Sequence, residues 1–509
     1  MHAMERMDMV LERALETMTR RIMLGALALA IVHQFLFYGQ PLGISYPIFV
    51  ASFYVYFFSF TKGRFTKLGT FSTFLLLAIL LLSLTYVWFD NPIFTIVNAI
   101  AIPCLIVLHT TVFASQREIR WFERRMIWQT LDQLLPQSFK HIPVPFRLLS
   151  NKLGKNVDAD TKRTVNRVII GLLLSVPLLF IVISLLMSAD QLFGELLENI
   201  PNFFAELSFS QWIFRLIWMI ALFVYLFGYV CGLIMPTRYE WEKNGESQSQ
   251  AKIIALDPII ALTVLIAVTL VYVLFVAVQF SYMFSAWDGE LPSGTTYAEY
   301  ARRGFFELLA VSIINFLLLI STLPLFREVK SGLKRISKVV LSVLIGCTTV
   351  MLVSAFIRLQ LYEQMYGYTY IRFLVHGFMI YMTILILVAG IRIWRSSFSL
   401  ARYYIIISVV ALVGINYIGM DRLIAQWNIE RYQQQDILDS DYLSELSSDA
   451  VPRLVKFAES EPFYQESIRV RYEEMQAEEE SRDWRSYNWS RARAMKAMGE
   501  FLEEVSHNR

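Results

Sequence analysis

Apolar residues gather in this chain into long stretches, each close to the roughly 20 residues a helix needs to cross a bilayer. They recur about eleven times, near 21–38, 43–60, 69–89, 91–114, 167–187, 211–235, 258–282, 305–324, 339–359, 373–391 and 403–420. The second is short and begins close to Pro47. After residue 420 the pattern changes. Charged residues become dense, long apolar runs stop, and short helical patterns appear in "DYLSELSSDAVPRLVKFAES" and "WSRARAMKAMGEFLEEV". The pattern predicts an all-α, polytopic transmembrane helical bundle with a small helical C-terminal extramembrane module.

Four regions follow. Residues 1–114 hold an N-terminal cytoplasmic segment and the first four spans, and 115–166 form a basic amphipathic cytoplasmic segment. Residues 167–420 carry the main membrane bundle of about seven spans, and 421–509 an acidic, helical, extracytoplasmic tail. The first apolar run is preceded by about twenty residues rich in charge and lacks a small-residue cleavage site, which argues against a removable signal.

Composition agrees with a lipid solvent. Of 509 residues 56% are hydrophobic, 15% aromatic and only 17% charged, with mean hydropathy +0.48. Soluble domains carry about 25% charged residues. A bilayer accepts the apolar excess because it removes the need for a polar outer surface. The net charge of +3 says little, but its placement sets an orientation. Lys and Arg fall in alternate loops: Arg20 and Arg21, then Lys62 to Lys67, then the 115–166 segment. Arg238 to Lys252, Arg327 to Lys338 and Arg392 to Arg402 continue the alternation. That side is read as cytoplasmic, the N-terminus with it. An odd number of spans puts the tail outside. The tail holds twelve basic and nineteen acidic residues, a net of −7.

Two segments between spans are amphipathic. "REIRWFERRMIWQTLDQLL" sets Ile119, Trp121, Phe122, Met126 and Leu134 near one face among basic residues. It fits a helix in the cytoplasmic headgroup layer, or equally a linker with one helix packed on protein. "DQLFGELLENIPNFFAELSFS" is acidic and reads as a surface helix on the outer face.

Catalytic frameworks are missing. No GxxxxGK[ST], HExxH, GxSxG or GxGxxG occurs. Cys104, Cys231 and Cys347 lie singly in apolar runs and read as small hydrophobes. His33, His109 and His376 lie in spans without metal-ligand spacing and read as helix–helix hydrogen-bonding groups. No catalytic residue, metal, cofactor or nucleic-acid partner is expected.

The strongest chemical signal is a set of arginines on the side that otherwise excludes basic residues. In "TTYAEYARRGFFELLAVSIINFLLL" the Thr296–Glu299 spacing is a capping box. A helix from Thr296 to Leu323 would be about 42 Å long, so its first turns stand in the outer headgroup layer. Arg302, Arg303, Arg215, Arg358 and Arg372 all lie at outward ends of predicted spans, with Glu299, Glu307, Glu363, Gln279, His376 and Asn416 near in depth. A planar guanidinium grips phosphate or carboxylate bidentately. An outward anion or lipid-headgroup site is one reading, with Arg303 pointing inward. The other is internal pairing with Glu299, Glu307 and Glu363.

Beyond these patterns, "TYAEYARRGFFELLAVSIINFLLL", "YGYTYIRFLVHGFMIYMTILIL", "DRLIAQWNIERY" and "LDSDYLSELSSDAVPRL" together resemble a bacterial multi-spanning membrane family catalogued as a domain of unknown function, of the 4173/4153 type. The resemblance covers roughly Ser281 to Leu454, with Trp427 standing where tyrosine is expected. It implies a bacterial plasma-membrane protein and carries over no activity. The expected partners are the lipid bilayer, anionic lipid headgroups and an envelope protein engaged through the tail. A non-enzymatic sensor, scaffold or regulator fits best. A transporter or flippase for an anionic or lipid-linked solute is the alternative, against which stands the scarcity of ionisable residues deep in the spans.

Overall fold

The computed structural model describes residues 2–61, 69–115, 120–145, 171, 182, 210–234, 257–287, 305–326, 329–395 and 397–507. Among them there is helix and no strand. Nine helices among the described residues are long and apolar enough to span a bilayer. The expected span at 43–60 is a helix too, at 17 residues. The expected span at 167–187 lies almost wholly outside the described residues, as does the acidic amphipathic segment after it. The chain is an integral membrane protein of the polytopic all-α class.

The chain divides into two units. Unit 1 comprises Met1–Tyr86, Val97–Tyr239 and Arg482–Tyr487; unit 2 comprises Val87–Ile96, Glu240–Ser481 and Asn488–Arg509.

Unit 1 is built on α1 (His2–Phe37), α2 (Ser45–Thr61), α3 (Thr70–Trp88), most of α4 (Pro92–Ala114), α5 (Arg124–Asp132) and α6 (Ser210–Ile234). The charged N-terminal segment is not separate from the first span, since one helix runs through both. Polar side chains cross-link the spans. His109 of α4 is fully buried, with Nδ1 3.0 Å from the Tyr54 hydroxyl of α2 and Nε2 2.9 Å from the Ser72 hydroxyl of α3. Thr110 bonds the Tyr229 hydroxyl of α6. In hydrocarbon such groups must find partners within the protein, so they fix which helices meet.

The basic amphipathic segment packs on protein along one side and leaves an apolar face open on the other. After α5 the chain makes a π-helical turn, Gln133–Gln137, and a last turn to Lys140. One side packs on α6. Gln133 Nε2 donates to the Tyr229 carbonyl at 2.9 Å, and a Cβ on Gly228 would collide with the Ser138 carbonyl. The other side leaves Ile127, Trp128, Leu131 and Leu135 exposed at helical spacing. Trp121, expected in the headgroup layer, instead stacks on Phe71 with centroids 3.5 Å apart.

Unit 2 holds α7 (Pro258–Trp287), α8 (Phe305–Thr322), α9 (Ser331–Tyr366), α10 (Tyr370–Trp394) and α11 (Leu400–Tyr417). The sequence places a span at 339–359, yet α9 runs for 36 residues, because nothing between Ser331 and Tyr366 breaks it. It stops at Gly367, whose φ of 83° is open to glycine. α9 is the central helix, with a different polar contact on each face. Ser354 meets Gln279 of α7, Thr348 meets Asn315 of α8 at 3.0 Å, and Glu363 lies 3.7 Å from His376 of α10.

The tail in unit 2 adds α12 (Met420–Gln435), α13 (Ser440–Ser444), α14 (Val451–Ser460), α15 (Gln465–Glu479) and α16 (Trp489–His507). These close over a core of Leu443, Leu446, Leu454, Phe457, Ile468 and Met498.

Candidate functional site

Among the described residues of unit 2, a buried polar constellation forms where the tail meets the ends of its membrane helices. α11 ends at Tyr417, Gly419 turns the chain, and α12 starts at once. Asp421 therefore falls in the first turn of α12, where the backbone N–H groups favour a carboxylate. It is fully buried. It accepts from Asn91 Nδ2 at 2.6 Å, from the Ser447 backbone N–H at 3.0 Å and from the Tyr370 hydroxyl. Asn91 in turn accepts from the Phe94 N–H at 3.0 Å, capping the start of α4. One carboxylate thus ties the α3–α4 turn, the start of α10 and the tail to α12.

Two more residues of α12 face the same way. Asn428 brackets Tyr368, accepting from its N–H at 3.0 Å and donating to its carbonyl at 2.9 Å. Arg431 donates to the carbonyls of Gln364 at 2.9 Å and Met365 at 2.7 Å, the last turn of α9. These carbonyls have no partner within their own helix. Spacings of seven and three place Asp421, Asn428 and Arg431 along one side of α12.

A second carboxylate pair lies alongside. The Asp449 carboxylate accepts from the Asp90 N–H at 3.2 Å, while Ser448 donates to Asp90 Oδ2 at 2.6 Å. Burial pushes the Asp449 carboxyl up to about 7, and the charges of Asp421 and Asp90 push the same way, against hydrogen bonds from Ser490 and the Asp90 N–H. Arg471, its pKa lowered by burial, reaches the Ser444 carbonyl at 3.0 Å and the Leu446 carbonyl. Among the described residues no group of His, Cys, Asp and Glu could hold a metal. The arrangement grips backbone and fixes segments.

The arginines read as an anion site are distributed between the units. Arg302, Arg303 and Glu299 lie outside the described residues. In unit 1 the Arg215 guanidinium sits 3.2 Å over the Tyr38 ring, just past the C-terminal end of α1. In unit 2 Arg372 donates to the carbonyls of Tyr366, at 3.1 Å, and Gly367, and covers the Tyr362 ring at 4.6 Å. It braces the α9–α10 turn. The structure brings Arg372, Glu363 and His376 to one end of α9 and α10. Arg358 is half-buried on α9, and Glu307 is exposed on α8. Asn416 is buried and donates to the Leu412 carbonyl of its own helix at 2.8 Å.

Asp421, Asn428 and Arg431 all lie in "DRLIAQWNIERY". Tyr368, Tyr370 and Arg372 lie in "YGYTYIRFLVHG", and Ser447 to Asp449 in "LDSDYLSELSSDAVPRL". Three of the four stretches that carried a family resemblance therefore meet at one junction. A comparison with family models matches residues 76–457 to a domain of unknown function, DUF4153. The chain belongs to the DUF4153 family. The DUF4153 match spans about three quarters of the chain, well beyond the 281–454 region of the resemblance, starting within α3 and ending within α14. No curated protein and no solved structure matches the chain.

Proposed function

We propose that this DUF4153 protein is a non-enzymatic regulator or scaffold of the bacterial envelope, set in the plasma membrane with its N-terminus in the cytoplasm and its tail outside. The observation that carries the proposal is the Asp421 junction. A module with its own apolar core is fastened by buried polar groups to the ends of spans. Such a construction transmits position between an extramembrane surface and the helices. Orientation is supported by the turns that receive the module: 89–91 and 367–369 contain no Lys or Arg. The opposite ends of α9 and α10 carry Lys330, Lys334, Arg335, Arg392 and Arg395. An outward site for anions or lipid headgroups at Arg303, with Arg302, Arg215, Arg358 and Arg372, belongs to the same proposal. Within it Arg372 braces and Arg303 is the residue expected to touch ligand.

Two experiments test this reading. In a background without Cys104, Cys231 and Cys347, Ser506→Cys in intact cells should react with a membrane-impermeant thiol reagent; reaction only after permeabilisation reverses the orientation. In cells lacking the native copy, Asp421→Ala protein adjusted to wild-type abundance should fail to restore the deletion phenotype. Full restoration by that variant refutes the coupling. The flippase alternative wins if the purified protein speeds an anionic lipid probe across proteoliposome bilayers.

A further inference from the structure

Among the described side chains of α1, the exposed large apolar residues form a single stripe. Leu24, Leu27, Ile31 and Phe35 are 63%, 37%, 51% and 57% exposed, while Ile22, Ala26, Leu29, Ala30 and Leu36 are buried. Steps of three and four residues put the exposed set on one face. Along a span, an exposed apolar face is the face lipid covers.

At the end of that stripe the chain brings back a distant segment. Residues 482–487 belong to the tail by sequence and to unit 1 by structure. Arg485 donates to the Phe35 carbonyl, one of the acceptors α1 leaves open at its C-terminus, and its guanidinium sits 5.3 Å over the Phe35 ring. Asp483 balances the charge at 2.5 Å. The Asp483 N–H donates to Gln40 Oε1 at 3.0 Å, and the Ile44 N–H donates to the Tyr487 carbonyl at 3.1 Å. The turn is thus fastened to the last turn of α1 and to the loop beyond it. Held so, it leaves Trp484 55% exposed with its ring 6.3 Å from Phe35, and Tyr487 46% exposed.

We propose that the Trp484–Tyr487 turn is an interfacial anchor, through which a piece of the tail sits in the lipid headgroup layer at the end of α1. Three facts select lipid as the occupant. Trp484 continues a lipid-facing stripe, and Tyr487 is exposed in the same turn. It lies at the end of a span, the depth of the bilayer boundary. Trp and Tyr suit that boundary because each joins an apolar ring to a polar tip. Arg485 is neutralised by Asp483, so the attachment does not depend on anionic lipid. The inference rests on the membrane assignment alone and is independent of the regulator reading.

The test uses the full chain, free of its native cysteines, in lipid nanodiscs. A nitroxide is placed at Trp484→Cys or, with Trp484 intact, at Tyr487→Cys. Reference labels go at Ile31 on the lipid stripe and at Lys496, exposed on α16. Collisions with oxygen, which prefers lipid, are compared with those of a nickel chelate, which stays in water. The oxygen-to-nickel ratio at 484 and 487 should lie several-fold above that at Lys496, equally in zwitterionic discs and in discs containing phosphatidylglycerol. Ratios equal to that of Lys496 overturn the proposal, and so does a label shielded from both reagents, which would mean a protein partner covers the turn. A second measurement keeps Trp484. The emission lost in Trp484→Phe should be quenched by lipids brominated near the headgroup; an unquenched difference signal overturns the proposal as well.

Discussion

Two helices of unit 2 show one chain answering to two solvents. In α14, in the tail, Val451, Leu454, Val455, Phe457 and Ala458 are buried while Arg453, Lys456 and Glu459 are exposed. Apolar means inside. In α7, a span, Ile259, Val264, Leu270, Val271 and Leu274 are exposed, while Ala261, Leu265, Thr269 and Gln279 are buried. There apolar character is nearly uniform on both sides, and Thr269 and Gln279 are polar side chains turned inside. Water pushes hydrophobes together in the tail, whereas lipid is as apolar as leucine and gives no such push. Helix partners in the bundle are chosen by polar contacts and fit.

The comparison is open to attack at its strongest point, the junction where the two solvents meet. Asp421→Ala leaves the Asn91 amide, the Tyr370 hydroxyl and the Ser447 N–H without their acceptor. Each buried polar group left without a partner costs about 1–3 kcal/mol, and three are left here. Hydrogen exchange over residues 440–460 should rise to that of an undocked segment. The next effect is a contrast. Leu454→Ala, at a fully buried site, should cost about 2–5 kcal/mol, and Leu274→Ala, at a lipid-facing site 67% exposed, less than about 0.5 kcal/mol. Equal thermal shifts for the two in detergent would break the comparison. His109→Ala should cost about 1 kcal/mol despite two hydrogen bonds, since polar groups in an unfolded membrane segment also find partners.

The last effect is a pH dependence. The Asp449 carboxyl is raised from 3.8 to about 7 in the folded protein, so the folded state binds the proton more tightly than the unfolded. Stability from this group is therefore full below the unfolded value and lost as pH rises through the folded one. Tail protection should fall between pH 4 and 7 and level off above. Asp449→Asn should flatten the curve; an unchanged slope in that variant assigns the effect to another group.

The spans were legible because hydropathy over twenty residues is a strong signal, and even the short α2 was found. The tail's helices were legible from their amphipathic pattern. What stayed hidden were pairings between distant segments. Asn91 opens a helix beside a proline, which sequence shows, but its partner is 330 residues away. Asp421, Asn428 and Arg431 share one side of a helix inside a single short motif, so their grouping is legible in the sequence although their partners are not. The arginines drew notice by their side of the membrane, a one-dimensional property. Whether Arg372 faces a ligand or its own α9–α10 turn depends on three dimensions, and the carbonyls of Tyr366 and Gly367 take it.

The clasp between residues 482–487 and the loop after α1 has a consequence in time. Gln40 and Asp483 are 443 residues apart. At the usual pace of bacterial and eukaryotic synthesis, about 5–20 residues per second, the first loop waits about 20–90 s for its partner after it emerges. Throughout that interval the Phe35 carbonyl and the Ile44 N–H lack the groups that later satisfy them. The first two helices therefore enter the membrane as an unfinished hairpin, and a message cut short before codon 483 yields a product marked as incomplete at its very beginning.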